Sequence, residues 1–184
     1  MKRLTPGCKE VLKGTLKGGL LMSNKELEVI KEAILNENEG YQVYSMAAEK
    51  INDEEISKSF EKLADEELKH IEWLKDLYES FEGKRDIEFS VDEISAPDKE
   101  RLFKMEKIEK ENLSFALSVF GIGVKMEKEA IEYYKNAASD TESEEAKNLY
   151  KKIIEWEYQH LNFFQEQYDM LREDWWAEQS FEPF

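Results

Sequence analysis

The chain has 184 residues, which is enough for one ordinary domain with a sizeable core. Its net charge of −16 argues against nucleic-acid binding, because a phosphate backbone needs a basic surface. The single cysteine, Cys8, excludes an internal disulfide and any four-cysteine metal centre within the chain, and it fits a cytoplasmic protein. The longest uncharged stretch, residues 112–124, is too short to cross a membrane.

Hydrophobic residues recur at helical spacing along the chain and predict an all-α fold. The predicted domain covers residues 23–174, between a basic N-terminal arm at 1–22 and an aromatic C-terminal tail at 175–184. A capping box, Ser23-Asn24-Lys25-Glu26, marks its start. The first predicted helix covers about 24–51, and the second runs from the break at 52–55 to near Gly83. The third covers about 98–138, where Gly121 and Gly123 could interrupt it, and the fourth covers about 143–174.

The connections predict two antiparallel helical hairpins, because short turns join the first helix to the second and the third to the fourth. The connection between the hairpins, residues 84–97, is longer and ends at Pro97, a residue suited to the first turn of a helix. Fully extended, it would reach about 45 Å. Two alternatives follow: a long crossover that travels the length of one bundle, or a connection that swaps one hairpin to a neighbouring subunit.

The two predicted hairpins form an internal repeat with a shift of 90 residues and no gap. The chain has only two histidines, and each has a glutamate three positions before it. A repeat of this kind implies two similar halves related by an approximate two-fold axis. The superimposed pairs include Glu37 and Glu127, Tyr44 and Tyr134, Glu67 and Glu157, and His70 and His160.

The spacing of the repeated acidic residues predicts a cluster in the middle of the bundle. Glu37 lies 30 residues before Glu67, and a hairpin of that length brings its two ends level with each other. Residues three apart share a helix face, so Glu67 and His70 can point the same way. If the halves face each other, four carboxylates and two imidazoles converge: Glu37, Glu67, His70, Glu127, Glu157 and His160.

Taken one at a time, these side chains have simpler explanations. A helical glutamate is usually a solvated surface residue, and a lone histidine is usually a hydrogen-bonded structural residue. Here, however, Glu67 lies on the apolar stripe that should turn inward. Four buried carboxylates need compensation, and two divalent cations would supply it with both imidazoles neutral. Oxygen donors with two imidazoles suit iron or manganese better than zinc.

The six residues resemble the ligand signature of ferritin-like diiron-carboxylate proteins. The surrounding segments, such as ENEGYQVYSMAAE and FEKLADEELKHIEWL, are similar to the rubrerythrin branch over about residues 24–174. The resemblance implies a ferritin-like four-helix bundle, built from the two repeated hairpins with a long crossover between helices two and three. It also implies two iron ions, with manganese or zinc as substitutes. The implied roles are bridging for Glu67 and Glu157, terminal for Glu37 and Glu127, and one ion each for His70 and His160.

Two tyrosines and one alanine complete the comparison with that family. Tyr44 and Tyr134 look like hydrogen-bond donors to the ligand carboxylates, with ordinary core packing as the alternative. Rubrerythrins proper carry a further carboxylate one turn beyond the third-helix ligand, where this chain has Ala130, so a ligand exchange that depends on it is in doubt. The appended four-cysteine electron-transfer module is also missing.

The resemblance implies an oxidoreductase that reduces hydrogen peroxide or dioxygen with electrons from an external electron-transfer protein. The alternative is a ferroxidase, an iron-handling or storage protein, which would need a large assembly. A third reading is a metal-free helical scaffold. We expect a homodimer or larger homo-oligomer in the cytoplasm, with neither nucleic acid nor membrane as a partner.

Overall fold

The computed structural model describes residues 24–82 and 110–179. These residues form four helices and no strand, which confirms the predicted all-α fold. The basic arm at 1–22, the connection at 84–97 and the first part of the third predicted helix lie outside the described residues. The helices are α1 (Asn24–Lys50), α2 (Glu54–Phe81), α3 (Lys110–Asp140) and α4 (Glu144–Glu178).

The internal repeat extends to the residues that begin the second helix of each hairpin. The side chain of Asp53 accepts hydrogen bonds from the backbone nitrogens of Glu55 and Ile56, each at 3.0 Å, and so caps α2. Ser143, 90 residues further on, caps α4 by accepting from Ala146 N at 3.2 Å. Both caps satisfy amides that the first helical turn leaves unpaired, so the two turns are equivalent in position and in function.

Helix α3 differs from the prediction, because it continues through Gly121 and Gly123 without interruption. A Cβ atom on Gly123 would lie 2.5 Å from two ring carbons of Phe164 on α4. The glycine therefore lets α3 and α4 approach closely rather than breaking the helix. Gly121 has a similar but looser contact, since its Cβ would lie 3.1 Å from the ring of Tyr168.

Helix α4 is longer than predicted and ends at Glu178 instead of near residue 174. Trp175 and Trp176 are therefore helical and not part of an irregular tail. Trp175 packs against buried side chains of the bundle, whereas Trp176 is 46% exposed. Across the described helices, no segment is both long enough and apolar enough to cross a membrane.

Two hydrophobic cores fill the ends of the bundle and fix the direction of its helices. In the first core, Phe60 of α2 lies 5.2 Å from Phe120 of α3, measured between ring centroids. In the second core, Leu77 of α2 and Tyr134 of α3 belong to the same cluster of buried side chains. The early part of α2 thus meets the early part of α3, and the late parts meet each other. Helices two and three therefore run in the same direction, as the two-fold repeat predicts.

Candidate metal centre

The middle of the bundle, between the two cores, holds a cluster of ionisable side chains from all four helices. The six predicted residues are brought together here, and none is more than 3% exposed. They form two groups, in each of which one potential ligand atom per residue lies within 4.8 Å of the others. The first group is Glu37, Glu67, His70 and Glu157, and the second is Glu67, Glu127, Glu157 and His160.

Glu67 and Glu157 belong to both groups, as expected of carboxylates that bridge two ions. In the first group, Nδ1 of His70 lies 3.1 Å from Glu37 Oε2, 3.3 Å from Glu67 Oε2 and 3.0 Å from Glu157 Oε1. Glu157, on α4, comes from the opposite hairpin. Each hairpin therefore supplies three residues to one group and a single residue to the other. The roles of these residues as metal ligands remain a prediction.

The second group repeats the arrangement around His160. Its Nδ1 lies 3.4 Å from Glu67 Oε1, 3.7 Å from Glu127 Oε1 and 3.2 Å from Glu157 Oε2. The two imidazole rings are stacked, with centroids 5.8 Å apart. Both histidines thus turn Nδ1 towards the carboxylates, so Nδ1 is the nitrogen available to a metal ion.

Tyr44 and Tyr134 connect the two hairpins through hydrogen bonds to the cluster. The phenol of Tyr44 on α1 donates to Glu127 Oε1 on α3, and that of Tyr134 on α3 donates to Glu37 Oε1 on α1. Burial, followed by the charge of the nearby carboxylates, raises the pKa of both phenols well above its ordinary value. Both hydroxyls therefore keep their protons and act as donors. Both rings also pack in the cores, so hydrogen bonding and packing occur together.

The four carboxyl groups divide into two pairs with opposite pKa shifts. Burial, and then the charge of Glu157, raises the pKa of Glu37 and of Glu127 well above the ordinary value. Burial also opposes ionisation of Glu67, but hydrogen bonds from Glu37 and both histidines lower its pKa to about 2. Burial is likewise outweighed at Glu157, whose pKa is lowered well below its usual range by the positive charge of His70 and by hydrogen bonds from both imidazoles.

The histidines balance the charge of the ionised pair. Burial lowers the pKa of each imidazole, but the surrounding carboxylates outweigh it and raise that pKa well above 6.5. For His70 the largest favourable effect is the charge of Glu157, and for His160 it is a hydrogen bond to Glu157. The raised pKa of both imidazoles therefore favours their positive charge beside the two carboxylates whose pKa is lowered.

The donor set fits two divalent cations. With both imidazoles neutral and all four glutamates ionised, the charges of two such ions are balanced. Carboxylate oxygens with imidazole nitrogens are ligands that suit iron and manganese. Glu157 Oε1 is buried, and 3.0 Å from it lies His70 Nδ1, itself a predicted ligand atom. With that nitrogen deprotonated, the lone pairs of both atoms would be available to a cation.

The sequence reasoning missed one buried acidic residue beside the cluster, Glu66. This residue is 5% exposed, and its Oε2 lies 3.0 Å from His160 Nε2. The available signal was its position directly before the predicted ligand Glu67. The 90-residue repeat does not point to Glu66, because the matching position in the second half is Trp156, which is not acidic.

A cavity of about 240 Å³ opens between α1 and α3 and reaches the shared carboxylates. Gly40 and Ala130, which match in the internal repeat, line its two sides. A Cβ atom on Gly40 would lie 3.4 Å from the side chain of Glu67, so the small residue leaves the approach to that carboxylate open. The exposed pair Glu39 and Glu129 also lines the cavity.

These features define a ferritin-like four-helix bundle whose buried carboxylates and histidines fit a dinuclear metal site. The family model described as Rubrerythrin matches residues 28–168. The chain therefore belongs to the rubrerythrin family.

Two solved structures share this fold. A hypothetical protein from Pyrococcus furiosus is 24% identical with a TM-score of 0.61, and the match covers 80% of this chain and 90% of that one. A dodecameric thioferritin, the bacterioferritin-related protein from Bacteroides fragilis, is 20% identical with a TM-score of 0.59, covering 86% of this chain and 91% of that one. The comparison with curated proteins gave no match.

Proposed function

We propose that this protein is a diiron oxidoreductase that reduces hydrogen peroxide or dioxygen with electrons from an external electron-transfer protein. The observation that carries the proposal is the pair of buried four-residue groups that share Glu67 and Glu157. Membership of the rubrerythrin family supports iron as the metal, with manganese or zinc as substitutes. The single cysteine of the chain supports a reducing, cytoplasmic setting.

The overall reaction balances with a two-electron centre. Two ferrous ions would supply one electron each when bound, and bridging carboxylates accommodate the change in metal charge. Reduction of hydrogen peroxide breaks its O–O bond, consumes two electrons and two protons, and releases two water molecules. The external donor then returns two electrons to the protein.

The side chains of this chain have distinct tasks in the proposal. Glu67 and Glu157 would hold both ions, whereas Glu37 and Glu127 would each hold one. The phenols of Tyr44 and Tyr134 orient the terminal carboxylates and keep their own protons. Both histidines would bind through Nδ1, which requires that nitrogen to release its proton. The catalytic residues are thus the six ligands: Glu37, Glu67, His70, Glu127, Glu157 and His160.

The cavity between α1 and α3 favours a small substrate. Its volume of about 240 Å³ has room for peroxide, dioxygen or a hydrated cation. Because the cavity touches both shared carboxylates, a molecule inside it would reach the ions directly.

Substitution of a shared carboxylate tests the proposal. Purified protein loaded with ferrous iron without oxygen should bind about two ions per chain and consume added peroxide. Glu67→Ala should abolish both metal uptake and turnover, because both groups lose a ligand. Glu72→Gln, an exposed change on the same helix, is the control and should retain both. Full activity in Glu67→Ala would refute the assignment.

A second candidate is an iron-handling protein that oxidises Fe(II) for storage or delivery. The acidic pair Glu39 and Glu129 at the cavity favours the passage of cations, and a structural relative is a dodecameric thioferritin. Assembly size distinguishes the candidates, since storage requires a cage or a host shell, whereas a dimer favours the enzyme. Light scattering of the purified protein and the iron retained per chain would measure the difference.

A further inference from the structure

We propose that the two metal positions are unequal, and that Glu66 makes the position of His160 the tighter one and the first to fill. The inference rests on the proposed dinuclear centre and adds an order of binding to it. Glu66 acts here as a positioning residue, because it contacts a ligand and not the ion itself.

Glu66 contacts the ring nitrogen of His160 that faces away from the carboxylate cluster. Nδ1 of His160 faces the carboxylates, so in the neutral, metal-binding form of the ring the proton is on Nε2. That Nε2–H donates to Glu66 Oε2 at 3.0 Å, and both side chains are buried. A carboxylate in this place fixes the tautomer and the orientation of the ring and strengthens its ligand nitrogen.

His70 lacks the equivalent acceptor in the described part of the chain. The position that matches Glu66 is Trp156, whose indole nitrogen only donates. Within the described part of the chain, neither His70 Nε2 nor Trp156 Nε1 has a hydrogen-bond partner. His70 instead packs beside two indoles that also contact each other, with ring centroids 5.3 Å from Trp73 and 5.8 Å from Trp156. Aromatic packing restrains this ring, but it does not polarise it.

The two groups also differ in the charge around them. The four ligand carboxylates balance two divalent cations, and Glu66 is an additional carboxylate next to the second group only. Loss of an outer hydrogen-bond partner of a ligand histidine typically costs 10–100-fold in metal affinity. We therefore expect the two ions to bind in separate steps with affinities that differ by about that factor.

Zinc titration followed by NMR tests the order directly. The chain has only two histidines, so the nitrogen spectrum of its imidazoles contains two rings. With one equivalent of Zn²⁺, one ring should change from the protonated to the metal-bound form, and the second ring should change with the second equivalent. The ring that changes first should also be the one whose Nε2–H signal is shifted by Glu66→Gln.

Calorimetric titration of Zn²⁺ into the same variants gives the magnitude. Glu66→Gln preserves the shape of the side chain but removes its charge, so it should weaken the first step by about 10–100-fold and change the second step less. Trp156→Glu should bring the two steps together by giving His70 an acceptor. Glu72→Gln, at an exposed position of α2, should alter neither step.

The outcomes separate the inference from the proposed function. Two rings that respond in parallel, a first response at His70, or an unchanged order in Glu66→Gln would overturn the inference while the dinuclear centre stands. If Zn²⁺ alters neither ring, both proposals fail. Should Trp156→Glu not fold, Glu66→Gln and the assignment of the first ring still decide the question.

Discussion

Protons and metal ions compete for the same buried side chains. In the protein without metal, Glu37 and Glu127 hold protons because burial and neighbouring charge raise the pKa of each carboxyl. His70 and His160 hold an additional proton each, because the surrounding carboxylates raise the pKa of both rings. Over the six predicted ligands, the form with these protons would be neutral, and so would the form with two divalent cations. Metal binding is therefore an exchange of ions for protons.

This exchange leads to a pH dependence whose sign is fixed. Uptake of two ions should displace the carboxyl protons of Glu37 and Glu127 and one proton from each histidine, about four in total. Because the raised imidazole pKa values keep these protons in place at neutral pH, metal affinity should increase as the pH rises through neutrality and fall in acid. Calorimetry in buffers with different ionisation enthalpies counts the protons. Uptake without proton release would contradict the assigned protonation states.

Removal of the tyrosine hydroxyls should weaken metal binding without preventing folding. Tyr44→Phe leaves Glu127 without its donor, and Tyr134→Phe does the same to Glu37. Each change should reduce metal affinity by about 10–100-fold, as is typical for the outer partners of ligands. Tyr158→Phe is the control, because that tyrosine is exposed and binds only Lys135 in the described structure. Equal affinities in all three variants would limit Tyr44 and Tyr134 to a packing role.

The six clustered residues could be found from the sequence because a duplicated pattern with constant spacing shows them twice. Glu66 could not be found in this way, because the repeat places Trp156 opposite it and the asymmetry is visible only as a contact. Its neighbour Glu67 is one of many glutamates in the chain, and adjacent acidic residues are common on solvated helices. Only the structure shows that both side chains of this pair are buried.

At the scale of the helix, glycine has different functions in α1 and α3. The close contact between Gly123 and Phe164 requires a residue without a Cβ, whereas Gly40 has room for a methyl group. The low helix propensity of glycine left an interruption near Gly121 and Gly123 open, but packing against a neighbouring helix decided the outcome. The extra turn of α4 was not predicted from the sequence, because it too depends on packing: Trp175 contacts the hydrophobic core.

Alanine substitutions at these two glycines should have opposite effects on stability. Gly123→Ala forces its Cβ to within 2.5 Å of the fully buried ring of Phe164, an overpacking that costs about 1–3 kcal/mol. Gly40→Ala makes ordinary contacts and gains up to about 1 kcal/mol of helix propensity. Chemical denaturation of the metal-free proteins measures both changes. Stability equal to the unchanged protein in Gly123→Ala would show that α3 and α4 can separate without loss.

At the scale of the whole molecule, the two hairpins meet at the cluster, because each of the two groups combines residues from both. Bound ions should therefore hold the hairpins together as well as take part in chemistry. The tyrosine hydrogen bonds cross the same boundary, from α1 to α3 and back. Removal of the ions should act on the folding of the entire bundle rather than on one helix.

Metal removal should lower the thermal stability of the protein. Free metal at about 100 times its dissociation constant adds roughly 2.7 kcal/mol for each site that binds only the folded state. A chelator should reverse this gain, and differential scanning calorimetry with and without Zn²⁺ would measure it. Glu67→Ala should lose the response to Zn²⁺, because both groups contain that residue. A melting temperature that changes with neither added metal nor chelator would indicate a metal-free scaffold.

The reciprocal sharing of carboxylates also limits how the duplicated halves can diverge. A change at Glu67 or Glu157 alters both metal positions at once, so a substitution there in one half also affects the other half. Glu66 and Trp156 each face one imidazole only, so a change at either position spares the other ring. Positions that contact one imidazole only, such as these two, are therefore where a symmetric ancestor could make its two metal positions unequal and still keep both.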